Sequence, residues 1–169
     1  MTIEEALVSS LDYERKVRDH YFHAAGQTPD PKGTEIFKAL GEEEQGHVDY
    51  LESRLDKWLA KGIIDATKIS SQLPTRTWLA QGKGKMRKIT LQRDYSNEIQ
   101  MLKDSLKLEQ QVSDHYRMLV EALDGEAQKM FARFLEIEDA HTAIVQAEID
   151  ALQGDGFWFD FQEFDLEQG

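Results

Sequence analysis

The residues best suited to chemistry in this chain come as two copies of one step. Glu44 and His47 stand three residues apart, and so do Glu138 and His141. On a helix that spacing puts both side chains on one face. Two further glutamates, Glu14 and Glu109, complete the set. All six fall on apolar stripes, where a helix meets its core. Burying four carboxylates without compensation is very costly, because charged groups leave water. Two divalent cations would bring four positive charges to meet four negative ones. Imidazole and carboxylate suit iron, and carboxylate-rich sites also accept manganese. One lone Glu plus one Glu-x-x-His per half is the inventory of a dimetal site inside a four-helix bundle.

A single Glu-x-x-His says little. With 17 Glu and 5 His in 169 residues, about 0.5 such steps arise by chance. Two copies in register, each matched to a lone Glu on an apolar stripe, say much more. The competing reading is a duplicated bundle whose acidic core positions are paired by protonation or hydrogen bonds, without metal.

Four helical stretches position these groups. The first, roughly Ile3 to Ala25, carries Leu7, Leu11, Glu14, Val17 and Tyr21 at three- or four-residue spacing. The second, about Thr34 to Ala60, carries Phe37, Leu40, Glu44, His47 and Leu51, with Thr34 as N-cap and Gly62 as stop. The third, about Tyr95 to Leu123, carries Leu102, Leu106, Glu109, Val112 and Tyr116. The fourth, about Glu126 to Leu152, carries Phe131, Phe134, Glu138, His141 and Val145.

The halves copy one another. A shift of 95 superposes Leu7 on Leu102, Ser10 on Ser105, Glu14 on Glu109, His20 on His115 and Tyr21 on Tyr116. A shift of 94 superposes Phe37 on Phe131, Glu44 on Glu138 and His47 on His141. The expected fold is all-α: a ferritin-like four-helix bundle, residues 1–156, made of two repeated helical hairpins joined by a long crossover. The crossover, 61–94, holds eight basic residues against Asp65 and Asp94, a charge of +6 that leaves −18 elsewhere. It is long enough to let the second and third helices run parallel. It reads as a balance to the acidic helices, with docking of an acidic partner as the alternative. Residues 157–169 form an aromatic and acidic arm. It is expected to dock on its own bundle, with a dimer contact as the second choice.

With these residues in view, the chain resembles the rubrerythrin-like branch of the ferritin-like diiron superfamily. The resemblance rests on Glu14 with Tyr21 seven later, Glu44-Gln-Gly-His47, Glu109 with Tyr116 seven later, and Glu138-Asp-Ala-His141. It covers essentially the whole bundle. It implies bridging roles for Glu44 and Glu138, terminal roles for Glu14 and Glu109, and one His per metal. Two departures stand out. Rubrerythrins carry an extra glutamate three residues after the first on the third helix, where this chain has Val112. They also carry a four-cysteine rubredoxin domain, and this chain has no Cys.

Seven residues is about 700° of helix, so Tyr21 and Tyr116 share nearly the face of their glutamates. They are expected to hydrogen-bond a bridging carboxylate; the alternative is a core tyrosine satisfied elsewhere. Asp19, His20, Asp114 and His115 point off that face, toward solvent or inter-helix polar contacts. His23 is expected at the surface. Glu43 is not favoured as a ligand, because its repeat partner is Ile137.

The expected function is a dimetal, diiron oxidoreductase that reduces hydrogen peroxide or dioxygen, with Fe/Mn as the other metal pair. Its electrons come from an external donor, a rubredoxin-like protein or a reductase. A ferroxidase or small iron store is the alternative, and a metal-free interaction bundle the third reading. Composition narrows the rest. A net charge of −12 argues against nucleic acid as the main partner. Zero Cys excludes a disulfide scaffold, a thiolate zinc site and an iron–sulfur cluster. No window of about 18 apolar residues exists to span a membrane, and no signal peptide is visible. The expected location is the cytoplasm. A homodimer is allowed for, and the long crossover would permit a helix exchanged between subunits.

Overall fold

Thr2 opens the first helix with a reciprocal pair of hydrogen bonds: the Glu5 N–H donates to its hydroxyl at 3.1 Å, and its own N–H donates to the Glu5 carboxylate at 2.7 Å. That capping box satisfies two of the N–H groups a helix start leaves without partners. In the computed structural model, which describes residues 1–82 and 94–161, this helix is α1, Ile3–Gln27. It is followed by α2, Pro31–Lys61, α3, Arg76–Gly82, α4, Ser96–Ala122, and α5, Gly125–Gly154. The described residues are otherwise turns and coil, with no strand.

The four long helices match the four apolar stripes to within a few residues at each end. One boundary differs in its cause. Thr34 does not cap α2; Asp30 does, accepting the Gly33 N–H at 3.2 Å, with Pro31 in the first turn. Proline fits there because its missing N–H would have had no helical partner. Gly62 ends α2 as expected, at φ +63°, with its N–H on the Trp58 carbonyl at 2.7 Å. The left-handed region favours glycine at that position.

Short connections pair the helices. Residues 28–30 link α1 to α2, and 123–124 link α4 to α5. Packing is densest within these two pairs, and α1 also meets α4. Along α1 and α4 the repeat-related side chains meet crosswise. His20 of α1 bonds Ser105 of α4 at 2.8 Å, and His115 of α4 bonds Ser10 of α1 at 3.1 Å. These are the inter-helix polar contacts expected of the two histidines, whereas Asp19, His23 and Asp114 are exposed.

The crossover is tied down at its start. Arg54 donates to the backbone carbonyls of Asp65 at 2.8 Å and Thr67 at 3.3 Å, and its guanidinium lies 3.8 Å over the Tyr50 ring. The short helix α3 was not foreseen; it packs on α5, with Leu79 buried. Lys83, Lys85, Arg87, Lys88 and Arg93 lie outside the described residues.

After α5 the chain folds back on the bundle. Trp158, Phe159 and Phe161 are buried. The Trp158 indole N–H donates to Asp30, and its ring meets Phe37 and Tyr95 edge-on at 5.7 Å and 6.1 Å. The Phe159 N–H donates to the buried Glu148 at 2.9 Å. Residues 162–169 of the arm lie outside the described residues.

Gly33 leaves room for this arm. A methyl group there would stand 2.8 Å from the Trp158 ring. The ring is held by Asp30 and its aromatic neighbours and has little freedom to yield. Gly33→Ala is therefore expected to destabilise the fold by about 1–3 kcal/mol and to expose Trp158. Denaturant unfolding followed by tryptophan emission checks both; unchanged stability and emission would contradict the packing described.

Candidate metal centre

Glu14 comes from α1, Glu44 and His47 from α2, Glu109 from α4, and Glu138 and His141 from α5. None is more than 1% exposed. The fold thus brings all six to one place in the interior. Ligand atoms of Glu44, His47, Glu138 and His141 all lie within 4.8 Å of one another, and this buried group can hold a metal ion.

The two imidazole rings stack in parallel, 5.2 Å apart and 2° from coplanar orientation. His47 Nδ1 lies 3.2 Å from Glu14, 3.2 Å from Glu44 and 3.2 Å from Glu138. His141 Nδ1 lies 2.8 Å from Glu44, 3.5 Å from Glu138 and 4.0 Å from Glu109. Each Nδ1 therefore faces both paired glutamates and the lone glutamate of its own half. The wall beside them is apolar: Phe134 meets the His47 ring edge-on at 5.5 Å.

One of these contacts is a hydrogen bond, between His47 Nδ1 and Glu14 Oε2 at 3.2 Å; most of the others are proximity alone. Both oxygens of Glu44 and of Glu138, one oxygen of Glu109, both ring nitrogens of His141 and Nε2 of His47 have no hydrogen-bond partner. Buried polar atoms of native proteins nearly always find one. Here the unpartnered carboxylate oxygens and ring nitrogens instead converge at ion-pair distance. Carboxylate oxygens and imidazole nitrogens are the donor atoms that iron and manganese take, so the orphaned atoms fit a cationic occupant.

The charges distribute themselves unevenly. Burial, and then the Glu138 charge, push the Glu14 carboxyl well above its usual range. Burial, and then the Glu44 charge, do the same to Glu109. Burial alone would also raise Glu44, but His47 and His141 outweigh it and hold Glu44 low. Glu138 is lowered against its own burial and the Glu44 charge by His141 and His47. Burial disfavours protonation of both histidines, yet the neighbouring carboxylates raise them well above the ordinary value. The metal-free cluster thus favours protons on His47, His141, Glu14 and Glu109, and ionised Glu44 and Glu138.

Tyr21 and Tyr116 reach the cluster by a route the sequence did not suggest. Neither donates to Glu44 or Glu138. The Tyr21 hydroxyl donates to Glu109, and the Tyr116 hydroxyl donates to Glu14. Each tyrosine serves the lone glutamate of the opposite half, because α1 and α4 lie against each other. Burial and the adjacent carboxylates push both phenols well above their ordinary value, which keeps them as donors. Val112 is a fully buried part of the apolar core.

Glu43 is the polar neighbour that sequence reasoning passed over. It stands four residues before His47, a same-face spacing, and it was set aside because its repeat partner is apolar. The crossover has no repeat partner either, and it is the crossover that meets Glu43: the Ser71 hydroxyl and the Gln72 N–H both donate to its carboxylate. Glu43 also lines a cavity of about 390 Å³ with His47, Tyr50, Arg54, Lys68 and Gln72. This cavity adjoins the His47 side of the cluster.

The protonation pattern sets a pH dependence. His47 and His141 are raised in the fold, so their contribution is full below about pH 6.5 and is lost as pH rises through their folded values. Glu14 and Glu109, also raised, lose stability in the same direction from about pH 4.5 upward. Glu44 and Glu138, both lowered, contribute above about pH 4.5 and lose it as pH falls. Glu148 is raised by burial as well. The metal-free protein should therefore melt at lower temperature at about pH 9 than at about pH 6, and Glu14→Gln with Glu109→Gln should flatten that fall. Calorimetry of the metal-free protein checks this; a melting temperature that rises with pH would contradict it.

The cluster has to be read from its own geometry, because no family model, curated protein or solved structure matches the chain.

Proposed function

We propose that this chain is a ferritin-like, rubrerythrin-like dimetal-carboxylate oxidoreductase that reduces hydrogen peroxide or dioxygen. The observation that carries this reading is the set of unpartnered carboxylate and imidazole atoms shared by the two Glu-x-x-His steps. Glu44 and Glu138 each lie within 3.5 Å of both imidazole Nδ1 atoms. That suits two carboxylates shared between two ions. Glu14 with His47 would complete the ligands of one ion, and Glu109 with His141 those of the other. The two helix pairs, the α1–α4 contact and the long connection from α2 to α4 support the ferritin-like arrangement.

Two iron ions, or an iron and a manganese, supply one-electron redox chemistry when bound. Reducing one hydrogen peroxide to two waters consumes two electrons and two protons. The chain has no cysteine to form an iron–sulfur relay. A separate one-electron donor, rubredoxin-like or a reductase, is therefore assigned to deliver the electrons.

The protein's own side chains do the positioning. Tyr116 and Tyr21 orient the outer carboxylates of Glu14 and Glu109 by hydrogen bonds at their Oε1 atoms. Phe134 and the surrounding core keep bulk water from the ring faces. The cavity beside His47 and Glu43 offers a small solute a way toward the cluster.

Two measurements test this reading. The di-ferrous protein should oxidise faster with hydrogen peroxide than with dioxygen in stopped-flow absorbance. A reaction at least as fast with dioxygen would instead favour the ferroxidase. In calorimetric titration with Mn(II), the wild type should take two ions per chain. Glu14→Ala should weaken mainly one of them, and Glu44→Ala should weaken both, by more than about tenfold. Equal effects of the two substitutions would contradict the shared role of Glu44.

A further inference from the structure

Two imidazole edges point away from the carboxylate cluster, and both point at one group. His47 Nε2 and His141 Nε2 each lie 3.8 Å from the same oxygen, Oε1 of Glu43. Neither nitrogen has a hydrogen-bond partner. The parallel stacking of the rings makes this possible, since it aims both Nε2 edges the same way. The separation is ion-pair range, and closing it by about 0.8 Å gives an ordinary N–H···O bond.

Glu43 is itself fixed from the other side. The Ser71 hydroxyl donates to its Oε1 and the Gln72 N–H to its Oε2 at 3.2 Å. Both belong to the connection between α2 and α3, outside the four long helices. The repeat does not reproduce the arrangement: the equivalent position is Ile137, which is apolar and buried. One carboxylate therefore stands where two histidines would each otherwise need a partner.

We propose that Glu43 is a positioning residue shared by both histidines, and that the Ser71–Gln72 segment of the crossover holds it in place. The inference rests on the dimetal reading above. An imidazole that binds a cation through Nδ1 keeps its proton on Nε2. A carboxylate accepting that proton fixes the tautomer, sets the ring plane and makes Nδ1 a better donor. Because one carboxylate faces both rings, disturbing Glu43 disturbs both ions at once. The crossover thereby acquires a role beyond connecting the helix pairs.

The test is Co(II) titration of the full chain, read by the visible ligand-field bands and by affinity. Glu43→Gln preserves size but leaves one acceptor oxygen. Either the imidazole N–H groups or the Gln72 N–H then faces an NH2 group. The expected result is two Co(II) bound by the wild type, and about 10–100-fold weaker binding with shifted bands in Glu43→Gln. Ser71→Ala lies at the half-buried connection and leaves the helix core intact. It should shift the bands in the same direction with a loss of about tenfold or less. Glu42→Gln, an exposed neighbour, should change neither. Wild-type uptake of two Co(II) with unaltered bands and affinity in both Glu43→Gln and Ser71→Ala would overturn the positioning role and leave the dimetal reading standing. No Co(II) uptake by the wild type would overturn the reading on which the role rests.

Discussion

The desolvation of six ionisable groups is the constraint around which this molecule is arranged. Four carboxylates and two imidazoles stand together with essentially no access to solvent. An isolated charge in such a place would neutralise itself rather than remain. The cluster leans that way: burial and like charge push Glu14 and Glu109 up, the two imidazoles hold Glu44 and Glu138 down, and the carboxylates push both histidines up. Even so, many of its atoms lack a hydrogen-bond partner. A metal-free core of this kind is tolerated by the fold rather than favoured by it, and cation binding would be coupled to proton release.

The surrounding structure follows from holding these groups at fixed separations. α1 and α4 touch, and their contact carries the crosswise hydrogen bonds of Tyr21, Tyr116, His20 and His115. Duplication explains the symmetry of the set, because each half supplies a tyrosine for the glutamate of the other. Where the duplication fails, the crossover intervenes. Glu43 replaces the apolar residue of the second copy, and Ser71 with Gln72 meets it. The folded-back segment of Trp158 and Phe159 closes a different part of the bundle, through Asp30 and Glu148.

The long helices were legible in the sequence because apolar periodicity and turn residues are local signals. The six clustered residues were legible for a stronger reason: polar groups at core positions, recurring at a fixed shift, have few explanations. What the sequence concealed depends on relations between helices. The partners of Tyr21 and Tyr116 could not be read, because face periodicity says which way a side chain points and not which helix it meets. The Asp30 cap was hidden by a plausible Thr34 nearby. Glu43 was discarded by a symmetry argument that holds for the helices and fails at the crossover, which occurs once. The helix α3 is too short to leave a periodic pattern.

Whether the six groups enclose two cations, as proposed, is read most directly from a metal-loaded crystal structure with anomalous scattering. Two anomalous peaks are expected about 3.5–4 Å apart, both contacted by Glu44 and Glu138, one by Glu14 and His47 and the other by Glu109 and His141. A core with no peak, or with a single ion and the remaining glutamates hydrogen-bonded among themselves, would contradict the proposal.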